Sequence, residues 1–533
     1  MLAGDGQPDL RADAFPGVPV SGVIRDTAPA STRQTWLAGG WLMVALLALR
    51  AAILLLGPGV LNGDGFLYVS AAQHLLQHGQ MPPATAQSRS FSVVLAPVIA
   101  FLGHDAIWNP VPFRRLGQPI ADAMHVVQIA FDVALVALLM HFYRQVGPRN
   151  RWAYLIGMGV IALQPITASW TNFVVPDSLA TFGLFVGLYL LAEAAIDGAV
   201  WRLALGGLLA GVAAFLRIDL LPLLALLLVP WCLLLVRRGG RRVIAGTALA
   251  LALFAAPILG MMALQYASQG DPRYVNSGAR DNPNNARPGY FTWTRAWLLT
   301  PGEFHDFAFA EGNAGWHGFA VENYPARAFA DTAGRTDIAA ALQAWQTGGY
   351  TPAVDARFAA AAEQLRAARP LQAFVTAPAA RTVQLWGSAD GGAALTTIFG
   401  LSPPPLVSRL VAATVVLLKI VLFLFTLIGS WALARQVVAS RFALSAVLDW
   451  PQGLGILSLA ALLGRAAEML VLNLIYASAV MESRYVIETW PCLIVLAALG
   501  YRATIARFSR DAATPAVVVP PSSEANGSFG VAR

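Results

Sequence analysis

Apolar runs alternate with short polar segments along most of this chain, and ten of the runs read as membrane crossings at roughly 20 residues each. They lie near 35–57, 121–143, 153–171, 178–196, 203–217, 220–236, 243–265, 406–434, 452–478 and 484–502. The apolar stretch from Leu203 to Val236 is too long for one span, and Arg217, Asp219 and Pro222 interrupt it. It is therefore read as a hairpin with a charged tip. With that hairpin, Arg144, Arg149, Arg151, Arg202, Arg237, Arg238, Arg241, Arg242, Arg435, Arg441 and Arg502 share the side of the N-terminus. The positive-inside rule makes that side the cytoplasm.

A different period follows the first crossing. In GVLNGDGFLYVSAAQHLLQHG the residues Ser70, Gln73, His74, Gln77 and His78 occupy one helical stripe. Phe66, Leu67, Val69, Ala71, Ala72, Leu75 and Leu76 make up the other face. A short, weakly charged amphipathic helix of this kind suits the lipid–water boundary, with Asp64 at its start and Gly79 closing it. The stretch Phe91 to Leu102 is too short to cross and is a candidate second interfacial helix.

Composition agrees with the pattern. The chain is 57% hydrophobic and 12% charged, too few charges for a soluble protein of 533 residues. Its net charge of +7 is carried by arginine, Lys419 being the single lysine, and reads as a topology signal rather than a nucleic-acid footprint. Cys232 and Cys492 both lie in apolar runs, which implies no disulfide framework and no thiol metal site. The expected fold is thus an all-α polytopic membrane protein with about ten transmembrane helices. Its expected parts are a cytoplasmic tail (1–34), an N-terminal transmembrane module (35–265) with an outer loop at 58–120, an extracytoplasmic α-rich domain (266–405), C-terminal transmembrane helices (406–502) and a disordered cytoplasmic tail (503–533). The run after the first 34 residues is too long for a signal-peptide core and is read as a retained signal anchor. In the large domain, Trp293, Trp297, Trp316 and Trp345 are candidate core residues that are also suited to stacking on sugar rings.

On this topology Asp64, Asp177 in VVPDSLATF, Arg217 in FLRID and Arg484 in MESRYVIETWP share the outer surface, near the membrane plane. A carboxylate there can take the proton of an attacking acceptor, and an arginine can neutralise a departing lipid phosphate through paired hydrogen bonds. The two aspartates also suit helix starts, and the two arginines suit anchoring to headgroups. His74 and His78 have zinc-compatible spacing, but HLLQH lacks the glutamate of a metalloprotease motif, so a solvated face is the expected reading.

The segments GDGFLYVSAAQHLLQHG, PDSLATF, GVAAFLRIDLLPL and SRYVIETWPCLIVLAALG together resemble the GT-C superfamily of integral-membrane glycosyltransferases. The likeness spans about 35–235 and 406–502 and points to the branch of protein O-mannosyltransferases and lipid A aminoarabinose transferases. The resemblance implies a polyprenyl-phosphate-linked sugar donor, an extracytoplasmic acceptor, inversion at the anomeric carbon, and an acidic catalytic group in the first outer loop, where Asp64 stands. Asp64 and Asp177 are then the candidate catalytic residues, and Arg217, Arg484 and Tyr485 the candidate donor-phosphate ligands. Many members carry two adjacent acids where this chain has Gly63-Asp64-Gly65, so no metal ligand set is assigned, although a divalent cation stays open as a cofactor. The expected setting is a bacterial inner membrane with the site on its outer face.

The alternative class is a transporter, since Arg50, Asp132, Lys419, Arg465 and Glu468 fall within apolar runs. Pairing explains these charges more simply: Arg465 with Glu468 in one helix, Lys419 reaching Glu468, and Arg50 with Asp132. The repeated halves and broken helices common in transporters are not evident in the sequence.

Overall fold

The computed structural model describes residues 33–57, 59–61, 63–81, 90–102, 118–148, 150–168, 170–238, 240–270, 287–300, 319–387, 405–440, 450–475 and 483–512, with 303, 307 and 448 as single positions. Residues 1–32 and 513–533 and Trp316 lie outside the described residues, whereas 503–512, expected as part of a disordered tail, continue the last helix to Ala512. Those described are nearly all helical, and seven helices are long and apolar enough to cross a membrane. Where the other three crossings are expected, the apolar helices are shorter: Gly40–Leu55, Arg151–Leu163 and Val200–Leu216.

The described elements begin with α1 (Arg33–Leu55), the pair α2 (Gly63–His78) and α3 (Ser90–Leu102), then α4 (Gln118–Val146) and α5 (Arg151–Leu163). It continues through α6 (Asp177–Asp197), α7 (Val200–Leu216), α8 (Leu221–Arg238) and α9 (Arg241–Gln269). Gly79 closes α2 as expected, with φ +65° and its N–H on the carbonyl of Leu75. The faces of α2 differ from the expectation in one respect. Tyr68, Val69 and Ala72 pack into the core, with Tyr68 edge-on to Phe91 of α3, and this turns Gln73 inward although it belongs to the polar stripe. Phe66, Leu67 and Leu76 remain exposed.

Helix α5 stops at Leu163, so the run at 153–171 is not one crossing. The cause is Pro165, which disfavours helical backbone at the residue before it; Gln164 sits at ψ 133°. The carbonyls left open at that end are met by Arg50 from α1, whose Nη1 donates to the oxygens of Ala162 (2.9 Å) and Gln164 (2.8 Å). The same guanidinium grips Asp132 of α4 through Nε (2.6 Å) and Nη2 (3.0 Å), and Thr167 donates to that carboxylate at 2.8 Å. The expected Arg50–Asp132 pair is therefore real, and it also caps a truncated helix.

The large domain contains α10 (Pro288–Arg295), α11 (Thr332–Gly348), α12 (Pro352–Ala368) and α13 (Ala377–Gly387), with a π-helical turn at Gln372–Thr376 leading into α13. Its core is aromatic: Tyr290, Trp293, Trp297, Phe307, Tyr324, Phe329, Trp345 and Phe358 are all buried. Trp293 donates to the carbonyl of Ala328 (2.8 Å), and burial pushes the Tyr324 phenol up to about 12. Trp293, Trp297 and Trp345 are thus core residues with no face open to a sugar ring.

The C-terminal helices are α14 (Pro405–Ala439), α15 (Gln452–Ile475) and α16 (Trp490–Ala512). Helices α14 and α16 meet backbone to backbone: a Cβ on Gly500 would collide with the carbonyl oxygen of Phe425, and one on Gly429 with that of Leu496. Gly500→Val should therefore force the helices apart at a cost of about 3 kcal/mol, the upper end of what overpacking usually costs. Gly159→Ala, where a Cβ meets nothing within 4 Å, is the matched control. Thermal aggregation of detergent-purified protein reads the difference, and equal stability of the two variants would refute the close crossing.

Candidate functional site

Two chain segments bring Asp64 and the start of α6 to the same end of the bundle. Val60 donates to the carbonyl of Asn172 (2.6 Å) and accepts from Val174 (3.2 Å), a parallel bridge that leads one strand into α2 and the other into α6. Gln128 of α4 holds that bridge by donating to the carbonyls of Phe173 (2.9 Å) and Val175 (3.1 Å). Asp64 then falls in the first turn of α2, and Asp177 is the first residue of α6. Neither is a helix N-cap. Pro176 holds that place in α6 and makes no side-chain cap, so the capping reading of Asp177 fails.

Asp177 is instead buried against Arg217, its carboxylate on Nη1. Arg217 has extended backbone (φ −131°) between α7 and a single 3-10 turn, Ile218–Leu220, which is the charged tip expected between the two helices. That geometry turns its guanidinium inward. Asp219 takes it in a two-point fork, Nε to Oδ1 at 3.0 Å and Nη2 to Oδ2 at 2.9 Å. Glu488 lies 3.2 Å from Nη1, and the ring of Tyr485 lies below the guanidinium, 5.0 Å from its centre.

A second arginine closes the cluster from α15. Arg465, fully buried, donates from Nη2 to Asp219 (2.5 Å), from Nη1 to Glu468 (2.8 Å) and from Nε to the carbonyl of Tyr485 (2.8 Å). Its Nη2 is also 3.7 Å from Glu488. The expected Arg465–Glu468 pair is present, but the main partner of Arg465 is 246 residues away in sequence. Lys419 lies with its ammonium 5.3 Å from the Trp490 ring centre.

The stretch Ser483–Thr489, which carries Tyr485 and Glu488, is a 3-10 helix rather than the first turns of α16. Pro491, second in α16, has no N–H to give to the preceding turn, so regular helix begins only at Trp490. Seven residues is long for a 3-10 run, which rarely exceeds three or four. Arg484 is placed there by its backbone; its side chain lies outside the described residues.

Asp177, Arg217 and Tyr485 are thus brought together, and Asp219, Glu488, Arg465 and Glu468 join them although motif spacing did not select them as site residues. Four carboxylates face two guanidinium groups, a formal charge of −2 if all are ionised. Both oxygens of Glu488 are buried without a hydrogen bond of regular geometry among the described residues. Asp219 and Glu468 are the members with appreciable exposure, at 21% and 16% of their side-chain surface, so the cluster opens on their side. No group of three or more His, Cys, Asp or Glu among the described residues is placed to hold a metal ion. His74 and His78 pack ring to ring, 4.4 Å between centroids.

No family model matches the chain, and no curated protein matches it in sequence.

Proposed function

We propose that the chain is a membrane glycosyltransferase that moves a sugar from a polyprenyl-phosphate donor to an acceptor outside the cytoplasm. The observation that carries this reading is the charged cluster of Asp177, Arg217, Asp219, Arg465 and Glu488, built at the bundle end where the Asp64 loop also begins. An amphiphilic donor needs apolar helices for its tail and a cation for its phosphate; Arg217 and Arg465 are both engaged by carboxylates, so in this reading the cluster fixes the framework and Arg484 beside it is the cation left for the phosphate.

In this reading Asp64 takes the acceptor's proton as the acceptor oxygen attacks the anomeric carbon. The glycosidic bond to phosphate breaks as the new bond forms, with inversion, and the electron pair leaves on the lipid phosphate. Arg484 meets that phosphate. Tyr485, held between Arg217 and Arg465, fixes the turn on which Arg484 stands. Arg217 already has three carboxylates around it, so it contributes charge from behind and touches phosphate directly only if one carboxylate swings away. Asp177 orients Arg217. The transport alternative gains little, because the intramembrane charges Arg50 and Asp132 are paired and hydrogen-bonded around a helix end instead of lining a path.

Mass spectrometry of envelope glycolipids and glycoproteins, comparing strains that lack and express the chain, tests the reading. A sugar that appears with expression supports it, and identical envelopes exclude it. Sidedness has its own check. Gly240 and Gly348 are exposed with room for a Cβ, and the native cysteines are buried. Gly348→Cys should react with an impermeant thiol reagent in intact cells and Gly240→Cys should not; the reverse pattern would put the site on the cytoplasmic face.

A further inference from the structure

The helical segment 370–387, at the end of the large domain, has two unlike faces. Its inner face is tied to membrane-spanning helices. Leu385 and Trp386 are buried in one cluster with Leu422, Met469, Val486, Ile487 and Trp490, residues of three candidate spans. Arg381, fully buried, donates to the carbonyl (2.9 Å) and side-chain oxygen (3.2 Å) of Asn473 near the end of α15, and to the carbonyls of Arg295 (2.7 Å) and Leu298 (2.8 Å). The segment is therefore fixed at the depth where those spans end.

Its outer face is apolar and uncovered. Leu371, Phe374, Val375 and Val383 are 66%, 52%, 52% and 70% exposed. Among the described residues of 287–387 these four are the only large hydrophobic side chains so exposed. The exposed positions of α11 and α12, by contrast, include Arg335, Asp337, Gln343, Gln346, Arg357, Glu363 and Gln364, as a water-facing surface requires. A patch confined to one helix and continuous with spans calls for a partner, and a helix at the end of the spans has a bilayer beside it. Arg366 and Arg369 stand just before the patch, with Arg366 paired to Glu363 (2.6 Å) and 5.9 Å from the Phe374 ring centre. Basic side chains at that edge suit the phosphate layer, their stems lying along the apolar face.

We propose that residues 370–387 form an interfacial helix seated in the leaflet on the site's side, with Leu371, Phe374, Val375 and Val383 among the lipid acyl chains. The opposite face of the same helix touches Val486 and Ile487, between Tyr485 and Glu488, so this element joins the bilayer surface to the charged cluster. The large domain then rests on the membrane through this helix, and α11 and α12 face water.

Environment-sensitive fluorophores on single cysteines test this in the full chain, in phospholipid nanodiscs holding one copy each. Val375→Cys and Val383→Cys report the patch, Glu363→Cys is the aqueous control, and Cys232 and Cys492 stay in place because they are buried. Lipids spin-labelled high on the acyl chain should lower emission at 375 and 383 by about half, with little effect at 363, and aqueous iodide should show the opposite order. Iodide quenching at 375 and 383 equal to that at 363 would overturn the proposal. Protection from iodide without lipid quenching would also overturn it, since protein would then be the cover. If one patch variant fails to fold, the other carries the test, and neither depends on enzymatic activity.

Discussion

Replacing Arg465 with leucine should leave little folded protein. Arg465 is fully buried and serves Asp219, Glu468, Glu488 and the carbonyl of Tyr485 at once. Without it, four carboxylates share one guanidinium, in a place where water reaches only Asp219 and Glu468. Breaking one side of a buried ion pair costs about 3–5 kcal/mol, because the remaining charge stays desolvated. That is a large part of the total stability of an ordinary domain. Arg465→Lys keeps the charge but loses the fork that spans Asp219 and Glu468, so it should fall between the two. The double variant Arg465→Gln, Glu488→Gln should recover part of the loss of Arg465→Gln, since it removes a carboxylate together with its partner. Size-exclusion yield and thermal aggregation in detergent read all of these. Wild-type stability of Arg465→Leu would show that the cluster carries no structural weight.

How much of this was legible in the sequence depends on whether the signal was local. Membrane spans are written in composition, because a bilayer demands apolar side chains for the whole width of the helix. The Arg217 break showed for the same reason, as a charge within an apolar run. Helix α5 stops early at a visible mark, Gln164-Pro165, but the capping guanidinium comes from residue 50, and no local pattern announces that. The pairing of Arg50 with Asp132 could be guessed only because opposite charges inside a membrane must find each other. The cluster divides along the same line. Arg465 and Glu468 are three residues apart on one helix and were readable as a pair, whereas the reach of Arg465 to Asp219 is a tertiary fact. Glu488 stands three residues beyond Tyr485 in the same motif, and spacing alone could not separate it from a surface glutamate. The tryptophans of the large domain show the converse difficulty. A residue suited both to a core and to sugar stacking is assigned only by its burial, and Trp293, Trp297 and Trp345 are inside.

Asp64→Asn should separate catalysis from stability, and it does so best in contrast with Asp177→Asn. Asp64 lies in the first turn of α2, half-buried, where a negative charge near a helix N-terminus is worth about 0.3–1 kcal/mol. Asparagine keeps the size and polarity, so folded yield should change little. If Asp64 removes the acceptor's proton in the transition state, its loss should lower transfer by about 10²–10⁴-fold, the usual contribution of a positioned base. Donor binding should be nearly unchanged, because the phosphate and lipid tail are held elsewhere. Asp177 is different: it is buried on Arg217, so Asp177→Asn leaves that arginine with one carboxylate fewer and should lower yield and activity together. The measurement is turnover per folded molecule, with wild type and both variants reconstituted at equal density. Turnover of Asp64→Asn within about twofold of wild type would remove the base assignment, since a positioned base contributes far more than that. A parallel fall in its yield and turnover would make Asp64 a structural residue of α2, and the proton would then have to leave through another group at this end of the bundle.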